Sequence, residues 1–148
     1  MALGAIGTED AVEHVRNFVR GGSGKLGHDA YQAKLGAVLG LGYGAARRTG
    51  AHAHDQLAKG CSVESWLRDV KWTAPGQTTP DATARLLTAA SFSGLALSGS
   101  DDGEKTLTAE ANKMQPDPLL SRRVKSALTE LRKVRNEGLR RYSAPRTH

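Results

Sequence analysis

The sequence predicts an all-α chain, a short α-solenoid of about three helical-hairpin repeats plus a C-terminal capping helix. Three observations predict it. First, a phrase recurs in which an apolar stretch with small residues meets a Gly, takes an acidic step and opens a second helix. It reads Leu3-Gly4-Ala5-Ile6-Gly7-Thr8-Glu9-Asp10-Ala11-Val12, and returns 92 residues later as Leu95-Ala96-Leu97-Ser98-Gly99-Ser100-Asp101-Asp102. A looser copy, Val38-Leu39-Gly40-Leu41-Gly42-Tyr43-Gly44, lies between them. Second, apolar residues recur at helical spacing through most of the chain, and no segment shows convincing β alternation. Third, aromatic residues make up only 5% of the chain while Gly and Ala are plentiful, so helices can approach closely. Such units expose apolar flanks on two sides and gain stability by stacking.

Residues 1–7 read as the tail of a helix closed by Gly7. Thr8 is the N-cap of the next, with Glu9 and Asp10 at its positive end. There Ala11, Val12, Val15, Phe18 and Val19 form the apolar face, and Gly21-Gly22-Ser23-Gly24 ends it as a flexible turn. Asp29 and Gln32 have capping-box spacing. They open a helix whose face holds Tyr31, Leu35, Val38, Leu39, Gly42 and Ala45. After the turn at 47–50, a short helix over 51–59 ends at Gly60. Residues 61–79 break the repeat and read as an insertion, with two helical turns around Val63, Trp66, Leu67 and Val70, then a loop from Trp72 to Thr79.

Thr79 as cap and Pro80 at the first position start the next helix. Leu86, Leu87, Ala90, Phe92, Gly94, Leu95 and Leu97 make it apolar nearly all round, as an inner repeat covered on several sides requires. A helix from Asp101 to Met114 buries Leu107, Ala111 and Met114. Asp117 caps the last and longest helix, whose arc runs through Leu120, Val124, Ala127, Leu128, Leu131, Val134, Gly138 and Tyr142. Residues 1–142 thus form one domain and 143–148 a flexible tail.

The formal net charge of +6 is unevenly placed. Residues 119–148 carry nine Lys/Arg against Glu130 and Glu137, and the remainder is within one charge of neutrality. A nucleic-acid binder usually spreads its basic surface over the scaffold. The longest apolar stretches are broken well before the ~18 residues a membrane span needs, and no basic leader precedes the first apolar run, so neither membrane span nor signal peptide is expected. A single cysteine, Cys61, fits a reducing compartment, and the cytoplasm is the expected location.

The recurring phrase resembles the HEAT-like repeats of the α-solenoid class, in particular the bacterial type related to phycobilisome-lyase repeats. Leu3 to Val12 matches that pattern well. The other copies depart from it, with Ser98 in an apolar place and Arg47-Arg48 in place of the acidic turn. The resemblance covers roughly residues 1–60 and 80–114. It implies a scaffold that binds other proteins and carries no catalytic residues. It also implies a concave surface built from the second helix of each pair, presenting Glu13, Arg16, His54 and Lys105 to a partner polypeptide.

Other chemistry finds less support. Gly21 to Lys25 lacks the upstream Gly and following Ser/Thr of a phosphate loop. His52 and His54 diverge on a helix and make a poor metal pair. Cys61 has no activating partner in sequence. No cofactor, metal or catalytic residue is assigned. Trp66 and Trp72 either pack onto the body under the loop of the insertion or serve as partner contacts, Trp being enriched in binding hot spots. A basic set, Arg47, Arg48, Arg122, Arg123, Lys125, Lys133 and Arg140, offers an alternative function in binding nucleic acid or another anion. The expected function is a non-catalytic protein–protein interaction scaffold, with self-association through the N-terminal end as a further possibility.

Overall fold

The computed structural model describes residues 8–47, 50–113 and 117–138. Within them the class is all-α: seven helices and one small sheet. Local chemistry sets the helix starts. α1 (Glu9–Arg20) begins at Thr8, whose hydroxyl accepts the Ala11 amide at 3.2 Å. α5 (Pro80–Ser98) begins at Thr79, which accepts from Ala82 at 3.2 Å, and α7 (Pro118–Glu137) at Asp117, which accepts from Leu120 at 3.2 Å. Proline fills the first position of both, where its missing N–H costs nothing. α5 stops at Gly99 in the left-handed region, φ +59°, a conformation glycine adopts without a Cβ penalty. α6 (Asp101–Lys113) follows at once, and α3 (Ala51–Lys59) ends at Gly60. Met114 lies outside the described residues, as do residues 1–7 with their expected helix tail, Tyr142, and the tail at 143–148.

Two local readings are corrected. α2 (His28–Ala45) starts two residues earlier than the capping box requires: Gly27 is its N-cap, and Asp29 falls inside the first turn, where it favours the dipole instead of capping. The absence of strands also fails. β1 (Ser23–Lys25) pairs in parallel with β2 (Lys71–Thr73), Ser23 opposite Lys71 and Lys25 opposite Thr73. Three residues are too few for alternation to register. The insertion therefore holds α4 (Val63–Asp69) and β2.

Two files can be traced through the helix contacts. α2 packs along α5, and α5 along α7; α1 lies against α3, and α3 more lightly against α6. Hairpin partners α2 with α3 and α5 with α6 join the files, as do α1 against α2 and α6 against α7, while α4 packs on α5. Within the first file the helices run the same way. Arg85 near the start of α5 pairs with Asp117 at the start of α7, while Arg135 near the end of α7 donates to the carbonyls of Gly99 and Ser100. Gly42 near the end of α2 likewise meets Gly94 near the end of α5, so closely that a Cβ on Gly42 would strike the Gly94 carbonyl oxygen. One contiguous apolar cluster draws residues from all seven helices, with Leu57, Leu87, Phe92, Leu95, Leu107 and Leu131 at its centre.

Candidate functional site

The tryptophans of the insertion turn inward. Trp72 is 1% exposed and its indole N–H donates to Val19 O at 2.9 Å; Trp66 is 5% exposed and donates to Gly60 O at 2.6 Å. Their expected role as exposed partner contacts is therefore corrected: each is consumed by the body of the protein, because a buried indole needs a partner for its N–H. The insertion is pinned to the end of α1. Arg20 stacks 4.1 Å from the Trp66 ring and pairs with Asp69 at 2.6 Å. Burial lowers its guanidinium pKa, and Asp69 opposes that shift. Lys34 is buried as well, with its ammonium donating to Phe18 O and, at 3.1 Å, to Gly21 O. It satisfies carbonyls at the end of α1, and loss of hydration lowers its pKa. Nothing in the apolar pattern of α2 singled out this lysine.

A largely apolar concavity runs over α5, between α2 and α7, with a volume of about 500 Å³. Tyr31, Leu35 and Leu39 of α2 form one wall. Leu86, Ala90, Ser93 and Leu97 of α5 form the floor, and Arg123, Ala127 and Val134 of α7 the other wall. The floor residues are spaced three to four apart, so they make one outward stripe. Leu86 keeps 36% of its surface exposed. The sequence signalled this only indirectly, through a helix apolar on every side whose last side has no helix over it among the described residues. Tyr31, Leu35 and Leu39, read there as a core face, are only partly buried, while the buried stripe of α2 is centred on Lys34, Ala37, Val38 and Leu41.

The second file presents polar surface. Arg16 lines a cleft with Gln56 and Lys59 of α3, Arg68 of α4 and Glu110 and Lys113 of α6. His54 lies across the α3–α6 contact, its Nε2 3.3 Å from the Thr106 hydroxyl, and Lys105 is exposed on α6. Arg16, His54 and Lys105 thus sit on the three helices of this file, but no contact brings them into one site. Glu13 is exposed and lines an adjoining cleft that shares Arg16, Gln56 and Lys59.

The basic helix α7 is partly neutralised from within. Arg135 meets Glu104 at 2.7 Å and Asp101 at 3.1 Å, Arg132 meets Glu104 at 3.2 Å, and Lys133 meets Glu130 at 3.4 Å. Hydrogen bonds from Arg135 and Arg132 hold the Glu104 carboxyl below its ordinary range. Arg122, Arg123 and Lys125 are exposed and have no ion pair among the described residues. Arg47 is exposed at the end of α2, whereas Arg48 and Arg140 lie outside the described residues.

Cys61 is fully buried, its thiol donates to Leu57 O at 3.3 Å, and burial pushes its pKa far up, so it is no nucleophile. Among the described residues, no three of His, Cys, Asp and Glu gather into a metal-binding group, and no helix is long and apolar enough to cross a membrane. Comparison with protein-family models, curated proteins and solved structures finds no match to this chain.

Proposed function

We propose that this chain is a short α-solenoid of the HEAT-like kind that acts as a non-catalytic cytoplasmic scaffold, docking another polypeptide. The two files of helices, joined by hairpins and parallel within the first file, support the architecture. The observation that carries the function is the outward apolar stripe of α5, sunk between α2 and α7 with no helix over it among the described residues. A protein surface seldom leaves such a groove uncovered without a use for it. The test is a photo-reactive residue at Ser93, on the groove floor, against a control at exposed Lys25, each in the full chain in its native host. One discrete adduct at Ser93 and none at Lys25 is expected. No adduct at Ser93, or the same adducts at both sites, refutes the reading.

Self-association belongs to the same proposal. Phe18, 49% exposed, borders a shallow apolar notch with Val15, Ala33 and Ala37 at the α1–α2 end. Sedimentation of Phe18→Glu against the parent chain checks it, dimer in the parent and monomer in the variant being the expected result. The alternative, nucleic-acid binding, draws on Arg122, Arg123 and Lys125, exposed and without an ion pair among the described residues. Counterion release makes such binding steeply salt-dependent, and a duplex that fails to bind at low salt removes it.

A further inference from the structure

We infer that the groove over α5 takes an amphipathic helix, with an apolar ridge against the floor and acidic residues facing Arg123. This inference rests on the scaffold reading above and names the chemistry of the partner. The floor runs from Leu86 to Leu97 along a single helix. At 1.5 Å per residue that is about 16 Å, the length of about three helical turns. Its middle is small, Ala89, Ala90 and Ser93, flanked by leucines at both ends. A neighbouring helix can therefore sink large side chains there at the three- and four-residue spacing that matches the stripe. An extended strand has alternating side chains and would present every second one to solvent instead.

The polarity of the partner follows from the rims. The α2 wall carries no charge: Tyr31, Leu35 and Leu39. The α7 wall carries Arg123 at the end nearer Leu86, because α5 and α7 run the same way from the Arg85–Asp117 pair. Arg122 and Lys125, on the same two turns of α7, are exposed but do not line the groove. Asp117, the acid at that end of the helix, is already held by Arg85. Farther along the wall, Glu130 is bridged by Lys133. Among the described residues that line the groove, the charge without an ion pair is therefore the positive one of Arg123, at one end. Complementary carboxylates on the partner would fix its register and direction.

Three fluorescein-labelled helical peptides test the inference by anisotropy with the full chain. The first has leucines at helical spacing and glutamates on its flanks. The second keeps the leucines with lysines in place of the glutamates, and the third keeps the glutamates with serines in place of the leucines. The first is expected to bind about tenfold more tightly than the second, and the third not at all, the gap closing at high salt. Arg123→Glu should weaken the first peptide by about tenfold and strengthen the second. The charge-neutral pair Leu86→Gln with Ser93→Gln, both at exposed positions, should abolish binding of either while the thermal melt stays cooperative.

Equal binding of the two leucine peptides, both lost in the glutamine pair, overturns the acidic partner and leaves the scaffold reading standing. Binding that survives the glutamine pair, or no binding of any peptide, overturns the inference. The Ser93 cross-link then decides the scaffold reading separately.

Discussion

Gly42→Ala tests the close approach of α2 to α5. A Cβ at Gly42 would collide with the Gly94 carbonyl oxygen and stand 3.1 Å from its carbon and 3.0 Å from Leu97 Cβ. Those are backbone and near-backbone atoms, so no rotamer change relieves the clash, and α2 must move off α5. Overpacking of this kind costs about 1–3 kcal/mol. Alanine gains about 1 kcal/mol over glycine in a helix interior, and the net expectation is a loss of up to about 2 kcal/mol. For a domain of this size that lowers Tm by up to roughly 6 °C.

Gly94→Ala is the matched control, since Gly94 also lies about one turn from the end of its helix. Its Cβ would meet Leu57 Cδ2 at 2.6 Å, the far end of a side chain rather than backbone, and Val38 O at 3.3 Å, a contact relieved by a shift of a few tenths of an ångström. The propensity gain is common to both variants, so their difference isolates the contact. Urea unfolding followed by circular dichroism should place Gly42→Ala below Gly94→Ala in midpoint, with an unchanged m-value. Gly42→Ala at or above the parent, or less damaging than Gly94→Ala, refutes the close crossing.

Three further outcomes follow from buried or paired groups. Lys34→Met leaves the carbonyls of Phe18 and Gly21 without their donor, and should cost about 1–3 kcal/mol in urea unfolding; no loss would show that water serves as well. Because the folded Glu104 carboxyl is held below its ordinary pKa of 4.5, its stabilising effect is complete above that pH and is lost as pH falls through the folded value. The stability difference between parent and Glu104→Gln should therefore shrink steadily below pH 4.5; a difference that stays constant to strong acid contradicts the pairing with Arg132 and Arg135. Cys61 should resist a thiol reagent in the native state and react at the rate of unfolding in urea, whereas rapid native labelling would contradict its burial.

Features set by neighbouring residues were legible in the sequence. Thr8, Thr79 and Asp117 cap the helices they were read to cap, and Gly60 and Gly99 end theirs, because each acts within one turn. The capping-box reading of Asp29 failed because Gly27 supplies a competing start two residues earlier. What joins distant segments was not legible. Trp72 finds its acceptor 53 residues away at Val19, and Lys34 reaches 16 residues back to Phe18, choices that no local pattern encodes. The same holds for β1 and β2, which exist only as each other's partner. Of the candidate site, the polar residues Arg16 and Lys105 are exposed, on α1 and α6. The groove itself was hidden, since periodicity marks Leu86 and Leu97 as apolar without saying which side of α5 is left uncovered.

The open face of α5 is the claim on which the rest depends, and methyl NMR with a soluble paramagnetic agent measures it directly. Leu86, Leu97, Leu35 and Leu39 should broaden strongly, while Leu57, Leu87 and Leu95, fully buried, keep sharp signals. Leu86 and Leu97 as protected as Leu87 would mean that the groove is closed.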